Sequence, residues 1–344
     1  MSLPLHSPYT PMEALSVDTI PVGPEWQYEP KWDGFRCLVF RDGKSVEFQS
    51  KAGRPLTRYF PELVDVVRDL KAERFVLDGE IVVPDDGGFS FDALLQRIHP
   101  AASRIKMLAA ETPAILIAFD LLVNARGALL TPRPLQERRK ELEDFMHKNA
   151  GGTKQIRLSP ATPRLAVAKG WLKRVGSALD GVIAKQRNLP YHSGDRNGMQ
   201  KIKNYRSADC VVGGFRYNEG KRVVGSLLLG LYDAAGLLHH VGFTSSVAQE
   251  PAITKKLVQH IAAPGFTGNA PGGPSRWSTS RSAKWRPLKP KFVVEVSYDH
   301  FTGERFRHGT RLLRWRPDKA PRQCTMDQLL QRKTNLMSLL DRAT

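Results

Sequence analysis

The chain has 344 residues, 52 basic and 34 acidic, with a net charge of +18 and a pI near 10; the length predicts two domains, and the charge favours a polyanionic partner such as nucleic acid over a membrane surface. The most apolar run, residues 114–123, is broken by Asp120 and falls far short of the roughly 20 apolar residues that a bilayer requires. Three lone cysteines, Cys37, Cys210 and Cys324, exclude an all-cysteine zinc site and a dense disulfide framework, so free thiols in a soluble, cytosolic protein are expected.

In chain order, short apolar runs at residues 37–40, 75–83, 115–123 and 181–185 are interspersed with helical patterns at 59–70, 135–147 and 165–179. This is an α+β pattern whose elements do not alternate strictly enough for a doubly wound sheet, and neither a Gly-x-Gly-x-x-Gly nor a Walker-type loop is present. Past Tyr205 the composition shifts: 30 basic and 24 acidic residues precede that point, 22 and 10 follow it. Strands are predicted at 210–217, 225–232 and 236–244, punctuated by turns, then a helix at 248–262, a Pro/Gly-rich loop at 264–274 and a strand at 292–298. Several short strands with one helix suggest a small closed or half-closed barrel of the oligonucleotide-binding type. Residues 326–342 read as an amphipathic helix.

The densest local signal is Glu29-Pro30-Lys31-Trp32-Asp33-Gly34-Phe35-Arg36, a lysine, a carboxylate and an arginine crowding one turn. Lysine is a poor nucleophile unless neutral, and nearby cations such as Arg36, Lys201 and Lys203 favour the neutral amine. Taken alone the turn also fits an exposed Asp-Gly bend. Further carboxylates sit in apolar strands: Asp78 and Glu80 in Val76-Leu77-Asp78-Gly79-Glu80, Asp120 beside Phe119, and Asp180 before Gly181-Val182-Ile183-Ala184-Lys185. A buried acid without a partner is costly, so the carboxylate of the 76–82 strand, and Asp180 that repeats the pattern, are expected to hydrogen-bond. Lys201 and Lys203 share one strand face at period two, and Arg314-Trp315-Arg316-Pro317-Asp318-Lys319 follows far downstream. The basic run 276–322, interleaved with Trp277, Trp285, Phe301 and Phe306, suits contacts with a nucleic-acid backbone.

In this order and spacing the six segments resemble motifs I, III, IIIa, IV, V and VI of the covalent nucleotidyltransferases, the superfamily of DNA ligases, RNA ligases and capping enzymes. The likeness is greatest to the small bacterial ATP-dependent DNA ligases and the ligase module of end-joining ligases. The resemblance implies an ATP-grasp-like nucleotidyltransferase domain with antiparallel sheets over residues 1–205, and an OB-fold β-barrel domain over 206–344 that carries the C-terminal helix. It implies that Lys31 takes AMP from ATP with Mg2+ or Mn2+, passes it to the 5′-phosphate of nicked duplex DNA, and that the 3′-hydroxyl then displaces AMP, as in DNA repair. Asp33, Glu80 and Arg36 are then the ribose and 5′-phosphate contacts, and Phe119 the platform for adenine, whose amine is read near Glu29. Lys201 and Lys203 clamp the α-phosphate. Arg316, Asp318 and Lys319 orient pyrophosphate, and Asp180 and Glu80 hold the metal.

Two departures stand out. Asp180 replaces the usual motif IV glutamate, and the motif Ia position is Lys51, with Arg54 nearby, where an arginine is usual; the point charge of lysine loses bidentate grip. An NAD-dependent ligase is disfavoured, because only about 30 residues precede Lys31 and its four-cysteine zinc site cannot be built. A capping guanylyltransferase, an RNA ligase and a non-catalytic nucleic-acid-binding protein are the alternatives. A monomer in the cytoplasm, at the nucleoid and away from membranes, is expected.

Overall fold

Each apolar run predicted in the first part builds a strand, and the period-two alternation of side chains decides which residues are left to make a site. A five-stranded sheet runs in the order Ser45–Ser50, Phe35–Asp42, Arg74–Val82, Ile115–Val123 and Ile156–Leu158, antiparallel except for the last pair. Cys37, Val39, Phe75, Leu77, Ile81, Leu116 and Ala118 pack on one face against the helices Pro61–Asp69 and Leu135–Asn149. Arg36, Asp78, Glu80 and Phe119 therefore project from the other face. The longer helix buries Leu135, Arg138, Leu142, Phe145 and Met146, an i, i+3, i+4 stripe.

A second sheet is ordered Leu15–Ser16, Met199–Lys203, Gly181–Gln186 and Trp26–Lys31. Here Trp26, Tyr28, Val182, Ala184 and Ile202 pack on one face, around Trp171 of the Leu165–Arg174 helix. The alternate residues Glu29, Lys31, Ile183, Lys185 and Lys201 line the opposite side, toward a cavity. These observations come from a computed structural model that describes residues 2–174, 179–247, 251–272, 284–329 and 335–341.

Two compact units result, one of residues 1–204 with 332–344, the other of residues 205–331. The second holds an antiparallel sheet ordered Leu238–Thr244, Val224–Tyr232, Arg206–Tyr217, Val293–Tyr298 and Arg311–Trp315, with Arg286–Pro287 also on Arg206–Tyr217. The expected meander is present, and among the described residues the sheet of the expected closed or half-closed barrel does not close fully. The two edges meet around the Thr244–Thr310 bridge, where Thr244 Oγ1 donates to the Thr310 carbonyl at 2.9 Å, Thr310 Oγ1 donates to the Phe243 carbonyl at 3.1 Å and the Leu312 amide donates to Ser246 at 2.7 Å. The ribbon Phe301–Thr302 with Arg305–Phe306 pairs with itself and not with either edge. Of the helix predicted at 248–262 the structure shows Pro251–Val258, and residues 248–250 lie outside the described residues, as does Trp277.

The C-terminal prediction is corrected. Residues 326–342 do not form one helix of the second domain: Met326–Leu329 is a single 3-10 turn, residues 330–334 and 342 lie outside the described residues, and the helix Met337–Asp341 belongs to the first unit. Leu336 and Leu340 enter the cluster of Trp26, Trp32 and Trp171. The Leu336 amide donates to the Gly87 carbonyl at 2.7 Å, and Arg157 pairs with Asp341 at 2.6 Å. Amphipathic spacing specifies an apolar face, not the surface that receives it. Because Leu340 is fully buried, Leu340→Ala is expected to cost about 2–5 kcal/mol; thermal unfolding followed by tryptophan fluorescence reads it, and an unchanged midpoint would contradict the docking.

Candidate active site

Strand register brings the first residues of the site together. Lys31 ends its strand opposite Gly181, which puts Asp180 beside it, and the two side chains form an ion pair. Lys203 also faces Gly181, and Lys201 faces Ile183. Gly181 has a φ of +150°, and a Cβ there would overlap the Ile202 carbonyl, so only glycine lets the strands approach at this point. On the other sheet Arg36 pairs across with Glu80. The tight turn after Lys31 is held by the Gly34 amide, which donates to Glu80 at 3.1 Å, and by Trp32, whose indole N–H donates to Ser159 at 3.0 Å.

Between the sheets lies a cavity of about 200 Å³ lined by Lys31, Glu29, Arg36, Lys51, Glu80, Phe119, Lys185 and Lys201, among others. Phe119 is only half-buried although Ala118, Leu121 and Leu122 beside it are fully buried, so its ring faces the cavity and not the core. Arg36 and Lys185 lie 4.8 and 4.7 Å from its centroid. Glu29 is buried, accepting from Lys185 at 2.8 Å and from Gln27 at 2.9 Å.

Charge is concentrated here. Burial pushes the Glu80 carboxyl up to about 7, against the pull of Lys31 and Arg36. Burial together with Lys31, Lys51, Lys203 and Arg196 lowers Lys201, the mark of a cation crowded by cations. Lys51 reaches the cavity edge and pairs with Glu13 at 3.0 Å, which Arg196 also contacts. The Arg54 amide bonds Ser50, and its residue is exposed outside the lining.

Two carboxylates could hold a divalent cation. Asp33 and Asp180 each offer an oxygen within 4.8 Å of the other, and hard oxygen donors at that separation fit Mg2+ or Mn2+. Glu80, the other carboxylate expected at the metal, lines the same cavity and accepts from the Gly34 amide.

Residues that were singled out downstream cluster in the second unit. Arg316, anchored by its amide to the Val293 carbonyl, donates to Asp209 at 2.9 Å and to Asp318 at 2.8 Å, and Lys319 reaches Asp209 at 2.8 Å. Arg316 holds the Asp318 carboxyl down to about 2. Asp209, unmarked in the sequence, is thus the shared anchor of both cations.

A family model described as the ATP dependent DNA ligase domain matches residues 11–203, and one described as the ATP dependent DNA ligase C terminal region matches residues 220–319. The chain belongs to the ATP-dependent DNA ligases. It is 45% identical over 347 residues to DNA ligase C2 of Mycolicibacterium smegmatis, with 96% of each chain covered. It is 33% identical over 307 residues to the multifunctional non-homologous end joining DNA repair protein LigD of Mycobacterium tuberculosis, covering 86% of this chain and 37% of that protein. A solved structure of a Lig E DNA ligase superposes with a TM-score of 0.51 at 16% identity, covering 89% of this chain and all of the other, a likeness of fold. The ligase is accordingly an enzyme whose nucleotide is ATP.

Sequence reading left several of this ligase's site residues without a role. Lys185 had a signal, since period two from Ile183 turns a lysine of an apolar strand to the cavity. Asp78 was marked only as a buried acid in need of a partner, which proves to be Arg36. Tyr191, in the loop between two strands, had no periodic signal at all.

Proposed function

We propose that this ligase seals 5′-phosphate/3′-hydroxyl nicks in duplex DNA through a lysyl-AMP carried on Lys31. The single observation that supports this most is Lys31 paired with Asp180 at the wall of a cavity ringed by cations. Lys31 Nζ, leaving Asp180 and losing a proton to solvent, attacks the α-phosphorus of ATP; the N–P bond forms as the bond to pyrophosphate breaks. A 5′-phosphate oxygen of the nick then attacks the same phosphorus and frees Lys31, and the 3′-hydroxyl finally displaces AMP to close the strand. These are in-line phosphoryl transfers, in which placement and charge neutralisation supply the catalysis. Asp33 and Asp180 would hold Mg2+, which neutralises charge on the phosphates. Lys201, with Lys203, steadies the α-phosphate; Phe119 stacks the base, and Glu29 lies where its edge is read. Glu80, its carboxyl pushed up by burial, takes a ribose hydroxyl.

Label from α-labelled ATP should transfer to the protein in the presence of Mg2+, vanish with a chelator, and discharge onto nicked DNA. Transfer from GTP would instead indicate capping chemistry, and transfer from no donor a binding protein. The surplus of 22 basic over 10 acidic residues beyond Tyr205 supports backbone contacts, so nick affinity should fall steeply with salt, by about 0.9 log unit per tenfold salt for each phosphate neutralised. Salt-independent binding would refute the electrostatic account. The same surplus supports work on DNA at the nucleoid, and the likeness to a DNA repair protein supports a part in DNA repair; among the described residues no helix is long and apolar enough to cross a membrane.

A further inference from the structure

Tyr191 lies in the loop joining the Gly181–Gln186 and Met199–Lys203 strands, contributes nothing to the cavity lining, and is 5% exposed. Its hydroxyl is nonetheless committed twice. It donates to Asp78 Oδ2 at 2.7 Å and accepts from the Met12 amide at 3.0 Å. Asp78, fully buried, takes Arg36 in a two-pronged contact, with Nε to Oδ1 and Nη2 to Oδ2 both at 2.6 Å. Arg36 Nη2 also donates to the Met12 carbonyl at 3.1 Å. One phenol therefore joins its own loop to two stretches of chain that are 179 and 113 residues away from it in sequence.

The consequence falls on the cavity wall. A carboxylate oxygen shared between Nη2 and the phenol is held from two sides, which fixes the plane of the guanidinium that lies 4.8 Å from Phe119. The other hydroxyl bond, at Met12, holds the start of the segment whose next residues, Glu13 and Ala14, form part of the lining, with Glu13 gripping Lys51. Without the hydroxyl, Asp78 loses its third donor and the Met12 N–H is buried without a partner.

We infer that Tyr191 is a positioning residue for the nucleotide, acting through Asp78 on Arg36 and through Met12 on Glu13 and Ala14 of the lining. It touches no substrate; it sets where the guanidinium stands before ATP arrives. The inference rests on the reading of this cavity as the ATP site.

Tyr191→Phe removes only the hydroxyl. In the full-length ligase, the ATP concentration giving half-maximal self-adenylylation should rise about fivefold to tenfold, with the maximal rate within about twofold of the parent, the loss expected for one hydrogen bond to a charged acceptor. A double-mutant cycle with Arg36→Ala decides whether the effect passes through Arg36. In the Arg36→Ala background the Tyr191→Phe effect should shrink to less than about twofold; undiminished, multiplicative losses would overturn the inference, as would a Tyr191→Phe ligase that loses thermal stability with no change in ATP dependence. Parent protein that takes no label from ATP would overturn the reading of the cavity itself, a result separate from either of these.

Discussion

Lys31→Ala should abolish transfer of label from α-labelled ATP, a loss beyond about 10³-fold, because no other group can form the phosphoramidate. The same protein should still close a nick that already carries a 5′-adenylate, since in that step the 3′-hydroxyl attacks the phosphate and AMP leaves without passing through lysine. The two assays together separate carrier from scaffold. The aromatic and hydrogen-bonding supports of the turn, Trp32 to Ser159 and Gly34 to Glu80, do not involve the Lys31 side chain, so the pocket should survive the substitution. Loss of both activities with a lowered melting midpoint would mean that the pocket needs the Lys31 contact to Asp180, and loss of both with an unchanged midpoint would extend the role of Lys31 to the last step.

Arg138→Met should destabilise the first unit strongly. Arg138 reaches from the Leu135–Asn149 helix to grip Asp120 with two bonds of 2.9 Å, and both side chains are nearly inaccessible. Burial pushes the Asp120 carboxyl up, but Arg138 overcomes it and holds the group below its ordinary range. Removing one partner of such a pair costs about 3–5 kcal/mol, and at about 2–4 °C per kcal/mol for a body of this size the melting midpoint should fall by roughly 10 °C. The pH dependence has a definite sign. In the parent, the lowered carboxyl contributes stability that is present above the unfolded value and lost as acid protonates it; in Arg138→Met the Leu121 amide and Lys185 remain as weaker supports, burial prevails and the carboxyl is raised, so stability is lost as the pH climbs. The deficit should therefore be largest near neutrality and shrink toward pH 4. Asp120→Leu combined with Arg138→Met should recover most of the loss, because two matched apolar groups leave no charge stranded. A deficit independent of pH would show that packing, not the stranded charge, sets the cost.

Much of the candidate site is legible before folding because period two in a strand is a local rule. Once residues 75, 77 and 81 are read as core, Asp78 and Glu80 must face the other way, and the same parity sends Lys31, Lys185 and Lys201 to the cavity. The order of the motifs then identifies which lysine carries chemistry, and the basic surplus past Tyr205 marks a second body. What parity cannot specify is a partner. That Glu29 meets Lys185, that Asp78 receives both Arg36 and Tyr191, and that Asp209 anchors Arg316 and Lys319 are meetings across 107 to 156 residues of chain, save for Arg36, whose distance to Asp78 is one strand pairing. The C-terminal helix shows the same limit: its leucines announce a buried face, yet only the assembled cluster of Trp26, Trp32 and Trp171 provides the surface that takes it. The open edges of the second sheet belong here too, since alternation makes a strand but closure depends on where the last strand lands. Local sequence thus determined the elements, their faces and the chemistry-bearing residues, while the tertiary structure decided which of those faces meet, because pairing energies arise only between groups that folding has already brought together.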